Sequence, residues 1–187
     1  MSTRKAATII PLDNLTPENI EFYMQITGSY ELLALVENPS YKSCLTAVNH
    51  NPVNIKYIQP KHQTEDICIA VVKRKPWCIK YIAPQNQSEK VCIAMISINP
   101  YYIKYITREK QTEKVCMNAV DQKTKCIKYI APENQTEKVC MRVVEQKPKC
   151  IKYIAPENQT EKLLKFKNEK SQNFIQRWWY RHKSITM

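Results

Sequence analysis

Five lysines stand 24 residues apart, at Lys56, Lys80, Lys104, Lys128 and Lys152. A row of ammonium groups at fixed spacing can follow a phosphate backbone or an acidic peptide, since each step along the polymer brings another anion to the next charge. Packed helices lie about 8–10 Å apart, and charges separated by that distance in water repel by less than thermal energy, so the row needs no partner to exist. A solvated face kept by repeat duplication gives the same pattern. A tyrosine follows each lysine, at Tyr57, Tyr81, Tyr105, Tyr129 and Tyr153. Such rings can stack on bases, although the commoner use of a tyrosine is a half-buried ring with its hydroxyl turned to water.

The eight cysteines fall in two columns: Cys44, Cys68, Cys92, Cys116 and Cys140 in one, Cys78, Cys126 and Cys150 in the other. Zinc sites need paired ligands at short spacing, and there is no CxxC; His50, His62 and His182 join no cysteine pattern. The expected role is that of a small, soft apolar side chain between helices, so no metal and no cofactor is predicted. An enzyme needs a unique set of polar groups. Here nearly every polar residue comes in several copies, and His50, His62 and Asp66 form no recognisable constellation. No catalytic activity is expected.

A second candidate lies at the C-terminus, where Phe174-Ile175-Gln176-Arg177-Trp178-Trp179-Tyr180-Arg181-His182-Lys183 interleaves aromatic and basic residues. Arg177, Trp178, Trp179 and Arg181 suit nucleic acid, a membrane interface or a calmodulin-like protein. The plainer reading is an amphipathic helix whose tryptophans seal the last repeat.

The elements that must position these residues follow from the same 24-residue step, which also links Thr64, Ser88, Thr112, Thr136 and Thr160. A long period held without insertions marks a repeat architecture. In residues 64–87, Thr64 is a candidate N-cap, Glu65 suits the first turn, and Ile67, Cys68, Val71 and Val72 form an apolar stripe. Lys73, Arg74 and Lys75 suit the end of that helix. Pro76 opens a second short helix through Ile82, Pro84 stops it, and Gln85-Asn86-Gln87 reads as a loop. Ile-Lys-Tyr-Ile is β-prone, but the proline at the head of the segment and its helical neighbour favour helix. The column Glu65, Glu89, Glu113, Glu137 and Glu161 is expected to serve helix N-termini.

Helices this short are unstable alone and must be stacked. The fold class predicted is therefore all-α, an α-solenoid of stacked two-helix repeats. Residues 1–15 form an N-terminal extension and 16–39 a degenerate capping repeat. Residues 40–159 hold five repeats, and 160–187 a capping helix with its basic aromatic tail. One glycine in the whole chain argues against tight β-hairpins and phosphate-cradling loops.

The net charge of +12 is uneven: residues 1–39 carry −3, 40–159 carry +10 and 160–187 carry +5. A basic body fits an anionic partner, or merely solubility. No run approaches about 18 apolar residues, so no transmembrane span is predicted, and too few apolar residues follow Met1–Lys5 for a secretory leader. An intracellular, reducing location is expected.

Thr-Glu-Lys-Val-Cys-Met, followed by Pro-Lys-Cys-Ile-Lys-Tyr-Ile-Ala-Pro-Glu-Asn-Gln, at 136–159 resembles the short helical repeats of uncharacterised proteins. These are abundant in mimivirus-like giant DNA viruses and occur in some bacteria. The resemblance covers roughly residues 40–162. It implies a repeat fold, brings no catalytic motif, and places the protein in host cytoplasm, a viral factory or a virion. Heavy use of Lys, Ile, Asn and Tyr suits an AT-rich genome. The leading expectation is a non-enzymatic scaffold that binds a protein partner through an extended basic face. Nucleic-acid binding through the lysines and the tail comes second, and a structural virion or assembly component third.

Overall fold

The computed structural model describes residues 15–16 and 19–183, apart from the side chains of 174–183. Among the described residues every regular element is helical. The α-helices are α1 (Ile20–Thr27), α2 (Tyr41–His50), α3 (Glu65–Arg74), α4 (Glu89–Ile96), α5 (Glu113–Gln122), α6 (Glu137–Gln146) and α7 (Glu161–Lys183). Short 3-10 helices lie between them. The chain divides into two compact units, Met1–Val91 and Cys92–Met187.

The repeat is clearest at 136–159, in the second unit. Thr136 caps α6, its Oγ1 accepting from the Val139 N–H at 3.4 Å, and Val139, Cys140, Val143 and Val144 form the buried face. Lys147 is extended (φ −149°, ψ 90°), as the residue before a proline should be, and Pro148 opens a six-residue helix to Tyr153. That second helix is 3-10 rather than α: the Cys150 N–H reaches the Lys147 carbonyl at 2.8 Å and the Ile154 N–H reaches the Ile151 carbonyl at 3.0 Å. Ile154 and Ala155 are both extended, and the segment they close is of a length where the tighter helix serves. Thr124 opens the equivalent helix Thr124–Tyr129 without a proline. The expected loop is a further turn of 3-10 helix, Pro84–Asn86 in one repeat and Pro156–Asn158 in another.

In the first unit α2 packs on α3, and the 3-10 helix Pro52–Tyr57 packs on Pro76–Tyr81. In the second, α5 packs on α6 and α6 on α7, while Pro100–Tyr105, Thr124–Tyr129 and Pro148–Tyr153 pack in series. Each unit therefore carries a row of α-helices and a row of 3-10 helices around its core. Thr64 departs from expectation, since its side chain makes no capping bond, whereas Thr112 accepts from the Val115 N–H at 3.3 Å.

Towards the N-terminus lie the α-helix Ile20–Thr27 and a 3-10 helix, Tyr30–Leu35. Thr16 and Asn19 exchange the reciprocal bonds of a capping box, and Ile20 is fully buried where later repeats carry cysteine. Pro17 and residues 1–14 lie outside the described residues. Gly28, at φ 72°, ends α1 in the left-handed conformation and donates its N–H to the Met24 carbonyl at 2.9 Å. At the other end Leu163 is buried against the preceding repeat, but with no proline after it α7 simply continues.

A column of buried glutamines ties the repeats together. Gln135 donates from Nε2 to the Ile130 carbonyl at 3.0 Å, and its Oε1 accepts from the Ala155 N–H of the next repeat at 2.8 Å. Gln111 does the same with Ile106 and Ala131, and Gln63 with Ile58 and Ala83. Gln87 makes the inner bond to Ile82 at 2.9 Å, while its Oε1 is buried without a partner among the described residues. Asparagines add a second tie: Asn86 Nδ2 donates to the Pro60 carbonyl at 2.6 Å, and Asn158 Nδ2 to that of Pro132 at 2.7 Å. These bonds supply buried backbone groups that 3-10 ends leave without helical partners.

Candidate anion-binding face

The lysine column sits near the end of each six-residue 3-10 helix. Three residues make one turn there, so Ile79 and Ile82 eclipse and both face the core, at 1% and 2% exposure. Lys80 and Tyr81, between them, are left on the outer side. The same Ile-Lys-Tyr-Ile order exposes Lys56 in the first unit and Lys104, Lys128 and Lys152 in the second.

Each ammonium lies over the ring that follows it. Nζ stands 4.6 Å from the ring centroid for Lys56 and Tyr57, and 4.9 Å for Lys80 and Tyr81. In the second unit the distance is 4.9 Å for Lys104 and Tyr105, 4.6 Å for Lys128 and Tyr129, and 5.1 Å for Lys152 and Tyr153. The ring quadrupole attracts the cation and holds a flexible side chain in place. A hydrogen bond with the Tyr129 side chain, the largest influence, raises the Lys128 ammonium above the ordinary lysine value.

Among the described residues none of these five lysines forms an ion pair. Another set of lysines does. Lys90 binds Glu65 at 2.9 Å, Lys138 binds Glu113 at 2.8 Å, and Lys162 binds Glu137. Ser88 Oγ donates to Glu65 at 2.6 Å and Thr136 Oγ1 to Glu113 at 3.0 Å. The Glu65 carboxyl is lowered first by the Ser88 bond and then by Lys90; that of Glu113 first by Lys138 and then by Thr136. The glutamates thus start their helices and also reach a lysine of the following repeat. One lysine set is neutralised, and the other is exposed and bare of counter-charge.

An aromatic cluster enlarges the face in the first unit. Trp77 is 40% exposed, Tyr81 lies edge-on to it at 6.2 Å, and Lys75 and Lys80 stand 5.9 and 5.4 Å from the indole centroid. The sequence carried a signal, since the equivalent positions are Val53, Tyr101, Lys125 and Lys149. In the second unit Tyr101 packs edge-on against Tyr129 at 6.0 Å. Arg177, Trp178, Trp179 and Arg181 fall in the last turns of α7, and their side chains lie outside the described residues.

The cysteines belong to the core. All eight are buried, and burial pushes the thiols of Cys68 and Cys116 up to about 12 and those of Cys44, Cys126 and Cys140 up to about 11. A thiol held protonated is a poor nucleophile and a poor metal ligand. Among the described residues no three of His, Cys, Asp and Glu gather where they could hold a metal ion. No described helix is long and apolar enough to cross a membrane. In comparisons with protein-family models, curated proteins and solved structures, nothing matches the chain.

Proposed function

We propose that the chain is a non-enzymatic helical-repeat interaction protein that holds an anionic partner through the exposed lysines of its 3-10 helices, Lys56 and Lys80 in the first unit and Lys104, Lys128 and Lys152 in the second. The observation that carries this reading is the contrast between the two lysine sets. Lys90, Lys138 and Lys162 are paired with glutamates, whereas the five lysines of the face are exposed and unpaired among the described residues. Charges already held against tyrosine rings lose less freedom when a partner binds.

The packing of repeat on repeat within each unit supports an α-solenoid, an architecture that offers long binding surfaces. That architecture favours an acidic protein segment as partner, in keeping with a scaffold. The aromatic ring beside every lysine favours nucleic acid as the second reading. Charge reversal at all five lysines tests the face. The variant retains the helical circular dichroism of the parent and loses affinity for both a poly-glutamate peptide and an oligonucleotide. Unaltered affinity for both would remove the reading.

A further inference from the structure

The cluster around Trp77 is a part of the first unit's lysine surface that charge does not explain. A bare lysine row needs no large apolar surface, yet this repeat exposes an indole where the others carry valine, tyrosine or lysine. Exposed tryptophan is poor company for water, and two ammonium groups lie within 6 Å of its centroid. Lys75 is held from behind by Asn51, with Nζ donating to Oδ1 at 3.1 Å, and Lys80 stands over both the indole and the Tyr81 ring. The cluster is set on the 3-10 helix Pro76–Tyr81, whose Cys78 and Ile79 are buried, so its backbone is fixed by the core.

A ligand that matches this group has a planar ring for the indole and anions on either side of it. Nucleotides in a single strand have that form: the base stacks on an aromatic side chain and the flanking phosphates meet lysines. A peptide of acidic residues alone supplies carboxylates for Lys75 and Lys80 but no planar ring for the indole face. A duplex hides its base faces inside the stack. We infer that Trp77 and Tyr81, with Lys75 and Lys80, form a binding site for a nucleotide of single-stranded nucleic acid, the base against the indole and the adjacent phosphates on the two ammonium groups. Lys56, one repeat away on the 3-10 helix that packs against this one, continues the phosphate track. The inference rests on the reading of the lysine column as a partner-binding face, and narrows its partner.

The experiment uses the full chain and three labelled probes: a twelve-nucleotide oligothymidylate, an abasic oligomer with the same phosphates, and a twelve-residue poly-glutamate. Trp77→Val is the variant, because valine occupies the equivalent position at Val53, and circular dichroism checks its fold. The parent binds oligothymidylate more tightly than either other probe, and Trp77→Val weakens that binding about tenfold while leaving the abasic probe unaffected. Equal affinity of the parent for oligothymidylate and the abasic oligomer, or no loss in Trp77→Val, would overturn the site. Preferential binding of poly-glutamate would overturn it too, but leave the lysine face standing. Binding of none of the probes would remove both.

Discussion

The Oε1 of Gln135 accepts the backbone N–H of Ala155 at 2.8 Å while the same amide donates to the Ile130 carbonyl at 3.0 Å. One side chain joins two repeats by bonding to backbone on both sides, and it does so at 5% exposure. Truncation leaves a carbonyl and an N–H without their partner, a loss of about 1–3 kcal/mol. Gln135→Ala is therefore expected to lower the urea midpoint clearly. Gln122→Ala, which removes an exposed amide bonded only within α5, changes stability by less than about 0.5 kcal/mol. Equal effects of the two substitutions in urea titration would deny the glutamine column its joining role.

The buried thiols make stability sensitive to alkali. Their folded values, about 11 to 12, lie above the ordinary thiol value of about 8.5. The folded state therefore holds these protons more tightly than the unfolded chain. The contribution is complete below the unfolded value and is lost as pH rises towards the folded one. The denaturation midpoint is expected to be flat from pH 7 to 8 and to fall above pH 9. Cys116→Ala starts from a lower midpoint, but its alkaline slope is shallower. An unchanged slope would assign the alkaline loss to other groups.

The two lysine sets are expected to behave differently towards a polyanion. Lys138 is already bound to Glu113, so Lys138→Ala removes a charge that a carboxylate offsets and leaves that carboxylate to Thr136 alone. Lys128 lies bare on the Tyr129 ring. Fluorescence anisotropy with a labelled oligonucleotide should show a several-fold greater loss for Lys128→Ala than for Lys138→Ala. The reverse order would place the contact surface on the paired set.

Sequence alone conveyed the helical class, because the cysteine, tyrosine and threonine columns repeat without insertion and apolar residues follow the helical stripe. The second segment was legible as helix, not as 3-10 helix: Pro148 marks its start, but Pro100–Tyr105 is a 3-10 helix too although Arg108 stands where Pro156 does, so no local residue announces the helix type. The glutamine clamps were missed. Gln63, Gln87, Gln111, Gln135 and Gln159 keep the same 24-residue step as the cysteines, yet a polar residue before a cap looks like loop. Its buried bonds depend on the neighbouring repeat, which no single repeat contains. For the same reason the glutamates read as helix starters only, since their lysine partners stand 25 residues on. The five face lysines were legible as a column. What distinguishes them from Lys90, Lys138 and Lys162 is that no carboxylate pairs with them among the described residues, and that is a three-dimensional property.

The most direct test of the lysine face is a salt titration of binding, with the full chain and its five-fold Lys→Glu variant measured against labelled single-stranded DNA, duplex DNA, RNA and poly-glutamate. Engagement of the three lysines of the second unit by a single strand predicts that log affinity falls against log salt with a slope of roughly −2. The variant should show no measurable binding. Binding by the parent that ignores salt, or a variant that binds as the parent does, would contradict the assignment of this face to an anionic partner.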